Sequence, residues 1–171
     1  TTLATGLSQR LGWELLEGGE LFQKIHDELN LSEISSNHRP DKFDLEYEET
    51  VKKFLKTKSH QVIQSHLAGF DAQEISGIYK ILVVCEDEKG EDHPDIRIDR
   101  LVNRKKITVE EAKKEIAERE TNNLEKWRRM YAGEDQGWVY WDPKYYDLIV
   151  NTYSHNKEES LSFVLQKLGV K

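Results

Sequence analysis

The 171-residue sequence is long enough for one domain with a substantial hydrophobic core. Its 25 basic and 32 acidic residues give a net charge of −7, and a pI near 5.4 argues against a general nucleic-acid binder. A single cysteine, Cys85, excludes a disulfide framework and a cysteine-based zinc site. No apolar run approaches the ~20 residues that cross a bilayer, so we expect a cytoplasmic protein that does not contact a membrane.

The apolar residues predict an alternation of helices and strands along the chain. Leu3, Leu7 and Leu11 lie four residues apart, which predicts a first helix that ends at Gly12. The other predicted helices cover residues 20–29, 43–56, 93–104, 108–131 and 157–168. The predicted strands cover residues 13–16, 60–65, 79–85 and 146–152.

The predicted strands are apolar throughout and are separated by helices, which indicates a parallel sheet with helices on both faces. In such sheets ligands bind beyond the carboxyl ends of the strands. Three of these ends carry polar or glycine-rich loops, at residues 17–19, 65–69 and 85–95. We therefore expect the functional site at these loops.

An arginine-rich segment occupies two of the predicted helices. Arg97, Arg100 and Arg104 fall on one helical face, and Thr108 with Glu111 predicts a capping box that starts the second helix. Spacing alone favours a solvated helix surface with Glu–Arg pairs. Several guanidiniums aimed at one point can, however, hold a polyphosphate.

Five stretches then carry a family resemblance when they are taken in order. They read TTLATGLSQRLGWELLEGGELF, QVIQSHLAGF, RIDRLVNRKKITVEEAKKEIAERE, WRRMY and YYDLIVNT. Together the chain resembles the P-loop nucleoside monophosphate kinases, and most closely the archaeal-type cytidylate kinases. The resemblance implies that residues 1–171 form a single P-loop kinase domain with the α/β, three-layer P-loop NTPase fold. It implies an acceptor-binding region at residues 18–57 and a short lid region at residues 97–131.

The activity implied by this resemblance is ATP-dependent phosphoryl transfer to a nucleoside monophosphate, CMP or dCMP, with ATP and Mg²⁺ as cofactors. We accordingly expect small-molecule nucleotides as partners, no nucleic acid or membrane, and a monomer. Two alternatives stay open. The chain could be a P-loop kinase of a different small-molecule acceptor, or a nucleotide-binding protein without transfer activity.

The resemblance gives the start of the chain a specific role. Thr1 would be the last residue of a GxxxxGK[ST] loop whose hydroxyl ligates magnesium, and Thr2 would stand beside it at the nucleotide. The first strand and the rest of that loop would precede Thr1. Without them we expect the chain by itself to be inactive.

On the ATP side, the resemblance assigns nucleotide binding to Arg100 and Arg104. It assigns catalysis to Arg119, together with Arg128 or Arg129, which would close over the transferring phosphoryl group. For Arg119 and Arg129 the alternative is an ion pair with the glutamate four residues earlier in the same helix.

The acceptor side departs from the family pattern. The implied substrate-binding residues are Gly18, Gly19, Gln23, Arg39, His66 and Gly69. Gln23 and His66 stand where the family carries arginines, and losing two guanidiniums could cost several kcal/mol of phosphate binding. Arg39 is a possible replacement or an ordinary surface arginine. Gly18 and Gly19 are either a tight turn that lets an acceptor approach the backbone or simple helix-entry glycines.

Two further segments have competing interpretations. Trp138, Tyr140 and Trp141 could stack on a base, but covering the sheet is the favoured interpretation. The acidic stretch 86–95 is typical of a solvated loop, in which only Glu86 or Asp87 is placed to meet magnesium. 

Overall fold

The computed structural model describes residues 2–20, 40–133 and 135–170, apart from the side chains of residues 118 and 119. The strands are β1 (Glu14–Glu17), β2 (Gln61–Gln64), β3 (Ile81–Val84) and β4 (Leu148–Asn151). The helices are α1 (Thr2–Leu11), α2 (Asp41–Thr57), α3 (Ala68–Asp71), α4 (Pro94–Lys105), α5 (Val109–Tyr131) and α6 (Lys157–Lys167). All four predicted strands and five predicted helices are therefore confirmed. The helix predicted at residues 20–29 lies outside the described part of the chain, apart from its first position.

The strands form two parallel pairs, which confirms the α/β class with parallel strands. β1 pairs with β2, with Leu15 opposite Val62, and β3 pairs with β4, with Val83 opposite Val150. The expected single sheet is not seen, because no pairing joins the two pairs within the described residues. Apolar runs indicate where strands lie. The choice of which strand edges pair depends on tertiary packing, which the composition of a single strand does not encode.

One hydrophobic core serves both strand pairs. Leu7 of α1, Val150 of β4, and Val164 and Leu165 of α6 are buried together. Val62 and Ile81, among other partly buried residues, pack against this cluster from β2 and β3. Burial of each such aliphatic side chain contributes about 1.5–3 kcal/mol, so α1 and α6 hold the two pairs in one packing unit.

A short break separates α4 from α5. Lys106 ends α4 in the left-handed region at φ 59°. Thr108 Oγ1 accepts a hydrogen bond from the Glu111 amide at 3.2 Å, and the Glu111 carboxylate accepts one from the Thr108 amide at 2.8 Å. The predicted capping box is therefore confirmed. Among the described helices, none is long and apolar enough to cross a membrane.

Replacing Thr108 by alanine is expected to lower the free energy of unfolding by about 1 kcal/mol, because the first turn of α5 loses its side-chain acceptor. Chemical denaturation followed by circular dichroism measures this change. Thr121→Ala in the exposed middle of the same helix is the matched control, and there alanine should be neutral or slightly stabilising. Equal losses in both variants would show that the cap contributes nothing.

Candidate functional site

The carboxyl ends of β1 and β2 meet at a tightly packed glycine. A Cβ atom at Gly18, directly after β1, would lie 2.2 Å from the Tyr47 hydroxyl and 2.9 Å from Ser65 Cβ. The Tyr47 hydroxyl donates a hydrogen bond to Ser65 Oγ at 3.0 Å. By contrast, a Cβ at Gly19 would meet nothing within 4 Å. Packing within the protein is therefore enough to require glycine at position 18.

Replacing Gly18 by alanine is expected to lower the free energy of unfolding by about 1–3 kcal/mol, the usual cost of overpacking. The new methyl group displaces the Tyr47 hydroxyl and with it the bond to Ser65. Gly19→Ala is the matched control, because its Cβ enters open space. Denaturation midpoints of the two variants and of Gly18→Ala combined with Tyr47→Phe measure the effect. The combination should recover part of the loss, and no recovery would remove the hydroxyl from the explanation.

The loop after β2 is closed by aromatic side chains. A Cβ at Gly69 would lie 2.1 Å from Tyr146 Cε1, so this glycine lies against the Tyr146 ring. The Tyr146 hydroxyl donates to the Tyr140 carbonyl at 2.9 Å, and burial raises the pKa of both tyrosines to about 12. His66 is exposed, with its ring 6.1 Å from that of Trp127. Among residues 65–69, His66 is thus the most exposed residue.

The aromatic segment after α5 packs on the protein itself. The ring of Trp138 lies 5.3 Å from that of Phe70, and the ring of Tyr140 lies 5.0 Å from that of Trp127. Trp141 is in edge contact with Tyr140 at 4.6 Å. Edge-to-face packing of this kind is a stabilising core arrangement. These contacts support covering, the favoured interpretation of this segment, over base stacking.

The three arginines of α4 have three different surroundings. Arg97 forms ion pairs with Asp92 at 2.6 Å and Glu120 at 2.5 Å. Arg100 donates from its two terminal nitrogens to the hydroxyl and the carbonyl of Thr152, at 3.0 and 2.8 Å. Thr152 directly follows β4, so Arg100 stands at the carboxyl end of the β3–β4 pair. Arg104 is exposed, and its side chain forms no hydrogen bond or ion pair with any other described residue.

The adjacent arginines of α5 differ in how much of each guanidinium is engaged. Arg129 binds Asp41 with both terminal nitrogens, at 2.6 and 2.8 Å, and these bonds hold the pKa of Asp41 below its usual value. The alternative prediction that Arg129 forms an ion pair with Glu125 is therefore wrong. Arg128 uses its Nε to donate to the Trp138 carbonyl at 2.9 Å. Of the two, Arg128 is the arginine that no carboxylate among the described residues engages.

A buried acidic cluster lies between α2, α3 and α5, and the sequence interpretation missed it. Asp44, Glu48 and Asp71 are 3%, 2% and 7% exposed. Lys126 pairs with Asp44 at 2.5 Å, the Tyr131 hydroxyl donates to Glu48, and Lys52 lies 3.8 Å from Asp71. Asp71 Oδ2 has no hydrogen-bond partner among the described residues.

Burial shifts the pKa values of two acids in this cluster. Burial, reinforced by the neighbouring Glu48 carboxylate, raises the pKa of Asp71 to about 7. Burial also raises the pKa of Glu48, although the Tyr131 hydrogen bond and the Lys52 charge oppose the change. One lysine, Lys52, therefore serves two buried carboxylates, and the cluster holds a proton more readily than ordinary acids do.

Comparison with known proteins finds cytidylate kinases among the relatives of this chain. The chain is 28% identical to a cytidylate kinase of Natronomonas pharaonis, over 89% of this chain and 74% of that protein. It is 26% identical to a cytidylate kinase of Haloarcula marismortui (96% and 81%) and 24% identical to one of Saccharolobus islandicus (99% and 85%). The resemblance to cytidylate kinases is confirmed. No protein-family model matches the chain.

The predicted site residues next to the strands lie in two groups in the structure. Gly18, His66 and Gly69 gather at the carboxyl ends of β1 and β2, whereas Arg100 stands at the end of β4. Thr2 is the first residue of α1. Three predicted positions, Thr1, Gln23 and Arg39, lie outside the described residues, and so does the side chain of Arg119.

The missed cluster had a signal in the sequence. Asp44, Tyr47, Glu48 and Val51 follow at helical spacing, and all four are buried on the inner face of α2. Carboxylates at core-facing positions of an amphipathic helix require partners, because an unpaired buried charge is costly. The spacing therefore signals that these carboxylates need partners, but it does not say which lysine of a distant helix supplies one.

The acidic loop after β3 is organised by its own backbone. Asp87 Oδ1 accepts hydrogen bonds from the amides of Lys89 and Glu91, at 2.8 and 3.0 Å, and His93 lies 3.3 Å from its other oxygen. The backbone amides thus engage Oδ1 of Asp87, and the His93 ring stands beside Oδ2. Within residues 2–20, 40–133 and 135–170, no group of three or more histidine, cysteine or acidic residues could hold a metal ion. Cys85 is buried, as expected for a strand-end residue.

Proposed function

We propose that this chain supplies most of a P-loop kinase that transfers the γ-phosphoryl group of ATP to a nucleoside monophosphate, with CMP or dCMP as the preferred acceptor. The observation that carries the proposal is the similarity to cytidylate kinases over 89–99% of the chain. In this proposal the three-layer P-loop fold, the acceptor region at 18–57 and the lid at 97–131 belong to one domain.

The position of the α4 arginines supports the ATP side of the proposal. In parallel α/β folds the ligand lies beyond the carboxyl ends of the strands, which is where Arg100 meets Thr152. Arg104 follows one turn later on the same helix and is exposed. Two guanidiniums one turn apart suit the adjacent charges of a triphosphate.

The catalytic role falls to Arg119 and Arg128. Phosphoryl transfer needs alignment and neutralisation of charge more than covalent help from the protein. Arg128 lies on the α5 segment next to Trp127, whose ring faces His66 and Tyr140. Arg129 becomes a positioning residue in this proposal, because Asp41 occupies both of its terminal nitrogens.

Magnesium enters the proposal bound to ATP, where it would neutralise charge on the phosphates. Among the described residues, no group of three or more histidine, cysteine or acidic side chains could hold the ion. Asp87, which with Glu86 is one of the two carboxylates that the sequence places to meet magnesium, is held by two backbone amides. The ligand that the resemblance implies is the Thr1 hydroxyl, which lies outside the described part of the chain.

The proposal is tested by coupled ADP release from the full-length protein that contains this chain, with CMP, dCMP, UMP and AMP as acceptors. We expect release with CMP or dCMP at a rate well above that with AMP. Release that requires a different small molecule would instead support a kinase of another acceptor, as the replacement of two family arginines by Gln23 and His66 allows. ATP binding without release on any acceptor would contradict transfer activity.

A further inference from the structure

The N-terminal half of helix α5 is bound to α4 by ion pairs. Lys105, the last residue of α4, lies 2.5 Å from Glu115, and Arg97 lies 2.5 Å from Glu120. These four side chains are 22–43% exposed. Paired charges that water still reaches hold an orientation loosely. The N-terminal half of α5 is therefore attached to α4 without a fixed orientation.

The other end of α5 is bound to the acceptor-region helix α2 by a different kind of contact. Lys126 and Asp44 form an ion pair at 2.5 Å, with their side chains only 3% and 5% exposed. Arg129 adds the bidentate pair with Asp41 one turn earlier on α2, and Tyr131 donates to Glu48 one turn later. Three contacts thus join the C-terminal end of α5 to one face of α2.

A buried ion pair has a specific consequence for helix packing. Its net gain over a well-packed apolar pair is small, but separating the charges leaves each of them buried and uncompensated. Sliding α5 by one residue would rotate its side chains by about 100° and carry the Lys126 ammonium away from Asp44. Apolar side chains of similar volume would tolerate several neighbouring registers.

We propose that Lys126 and Asp44 are positioning residues that fix the register of α5 on α2. The arginines of α5 are thereby held at a set distance from the acceptor region. A movement of α2 is transmitted along α5 to the break between α4 and α5. This inference rests on the proposed function, because it concerns the geometry in which the lid helix meets the acceptor.

The test compares an apolar replacement of the pair with the native pair. Lys126→Met combined with Asp44→Leu is expected to unfold near the wild-type denaturant concentration, since it leaves no buried charge. It should nevertheless lower kcat at least about 10-fold, with the KM for ATP within about 3-fold of the wild-type value, because α5 loses its register while the α4 arginines stay in place. Lys126→Arg in the native background keeps the charge next to Asp44, and it should retain most of the wild-type kcat. Lys113→Met, an exposed pair member of the same helix, should leave kcat unchanged.

A folded double variant with wild-type kcat would overturn the inference, and so would equal losses in the double variant and in Lys113→Met. A second readout does not depend on turnover. Removal of the α5 cap by Thr108→Ala should accelerate local amide exchange in α2 of the native background and leave it unchanged in the double variant. The same acceleration in both backgrounds would also overturn the inference. Absence of turnover in the wild-type full-length protein would contradict the proposed function, and the exchange experiment would then decide the positioning role alone.

Discussion

Replacing Arg119 by alanine is expected to lower kcat about 10³-fold, while the KM for ATP changes by less than about 3-fold. The proposed role of this arginine is to close over the phosphoryl group during transfer. Its guanidinium would then interact more strongly with the negative charge on the equatorial oxygens of the transition state than with the phosphates of bound ATP. An interaction that is stronger in the transition state than in the ground state raises kcat without a matching change in substrate affinity.

Steady-state rates over a range of ATP concentrations separate these two effects. Arg119→Lys keeps the charge but loses the planar fork, so it should retain an intermediate rate. Lys113→Ala, at an exposed position of the same helix, controls for a general loss of helix charge. An unchanged kcat in Arg119→Ala would remove Arg119 from the catalytic residues and leave Arg128 as the remaining candidate.

The second large effect concerns Asp71 and pH. The folded protein holds the Asp71 proton up to a pH of about 7, because burial raises its pKa from the ordinary 3.8. The unfolded chain releases that proton near the ordinary pKa, so the folded state binds more protons between about pH 4 and 7. The free energy of unfolding contributed by Asp71 therefore falls as pH rises through this window and stays low above it. Three pH units correspond to at most about 4 kcal/mol.

Asp71→Asn is expected to remove this dependence. At pH 8 the variant should be more stable than the wild-type protein by up to about 4 kcal/mol, and the difference should vanish towards pH 4. The charged groups that face Asp71 are Glu48, Glu49 and Lys52 of α2, and they are the same in both proteins. Denaturation at a series of pH values measures the difference, with the exposed Asp95→Asn as control. A difference that does not change with pH would show that Asp71 is ionised in the folded protein throughout.

Much of the fold could be predicted because its signals are local. The spacing of Leu3, Leu7 and Leu11 predicts α1, and Thr108 with Glu111 predicts the start of α5; both are found. Apolar runs correctly predict the four strands, although most of their residues are only partly buried. The pairing of strand edges could not be predicted in the same way, because it depends on distant elements and not on the composition of a run.

The candidate site shows the same division. The spacing of Arg97, Arg100 and Arg104 correctly places them on one helix. The partner of Arg129 could not be predicted, since Asp41 is 88 residues away in the sequence. The helical rule for pairs four residues apart favours Glu125, and the tertiary contact replaces it. Likewise, the pair between Lys126 and Asp44 joins two helices separated by 82 residues. Long-range ion pairs leave no periodic trace in one sequence, whereas caps and amphipathic faces do.

The central claim is transfer of a phosphoryl group from ATP to a nucleoside monophosphate. The most direct measurement incubates the full-length protein with CMP and with ATP that is labelled in its γ-phosphate, and then separates the nucleotides. Appearance of the label in CDP is the result predicted here. Label that stays in ATP or appears only as inorganic phosphate, with CMP and every other nucleoside monophosphate, would contradict it.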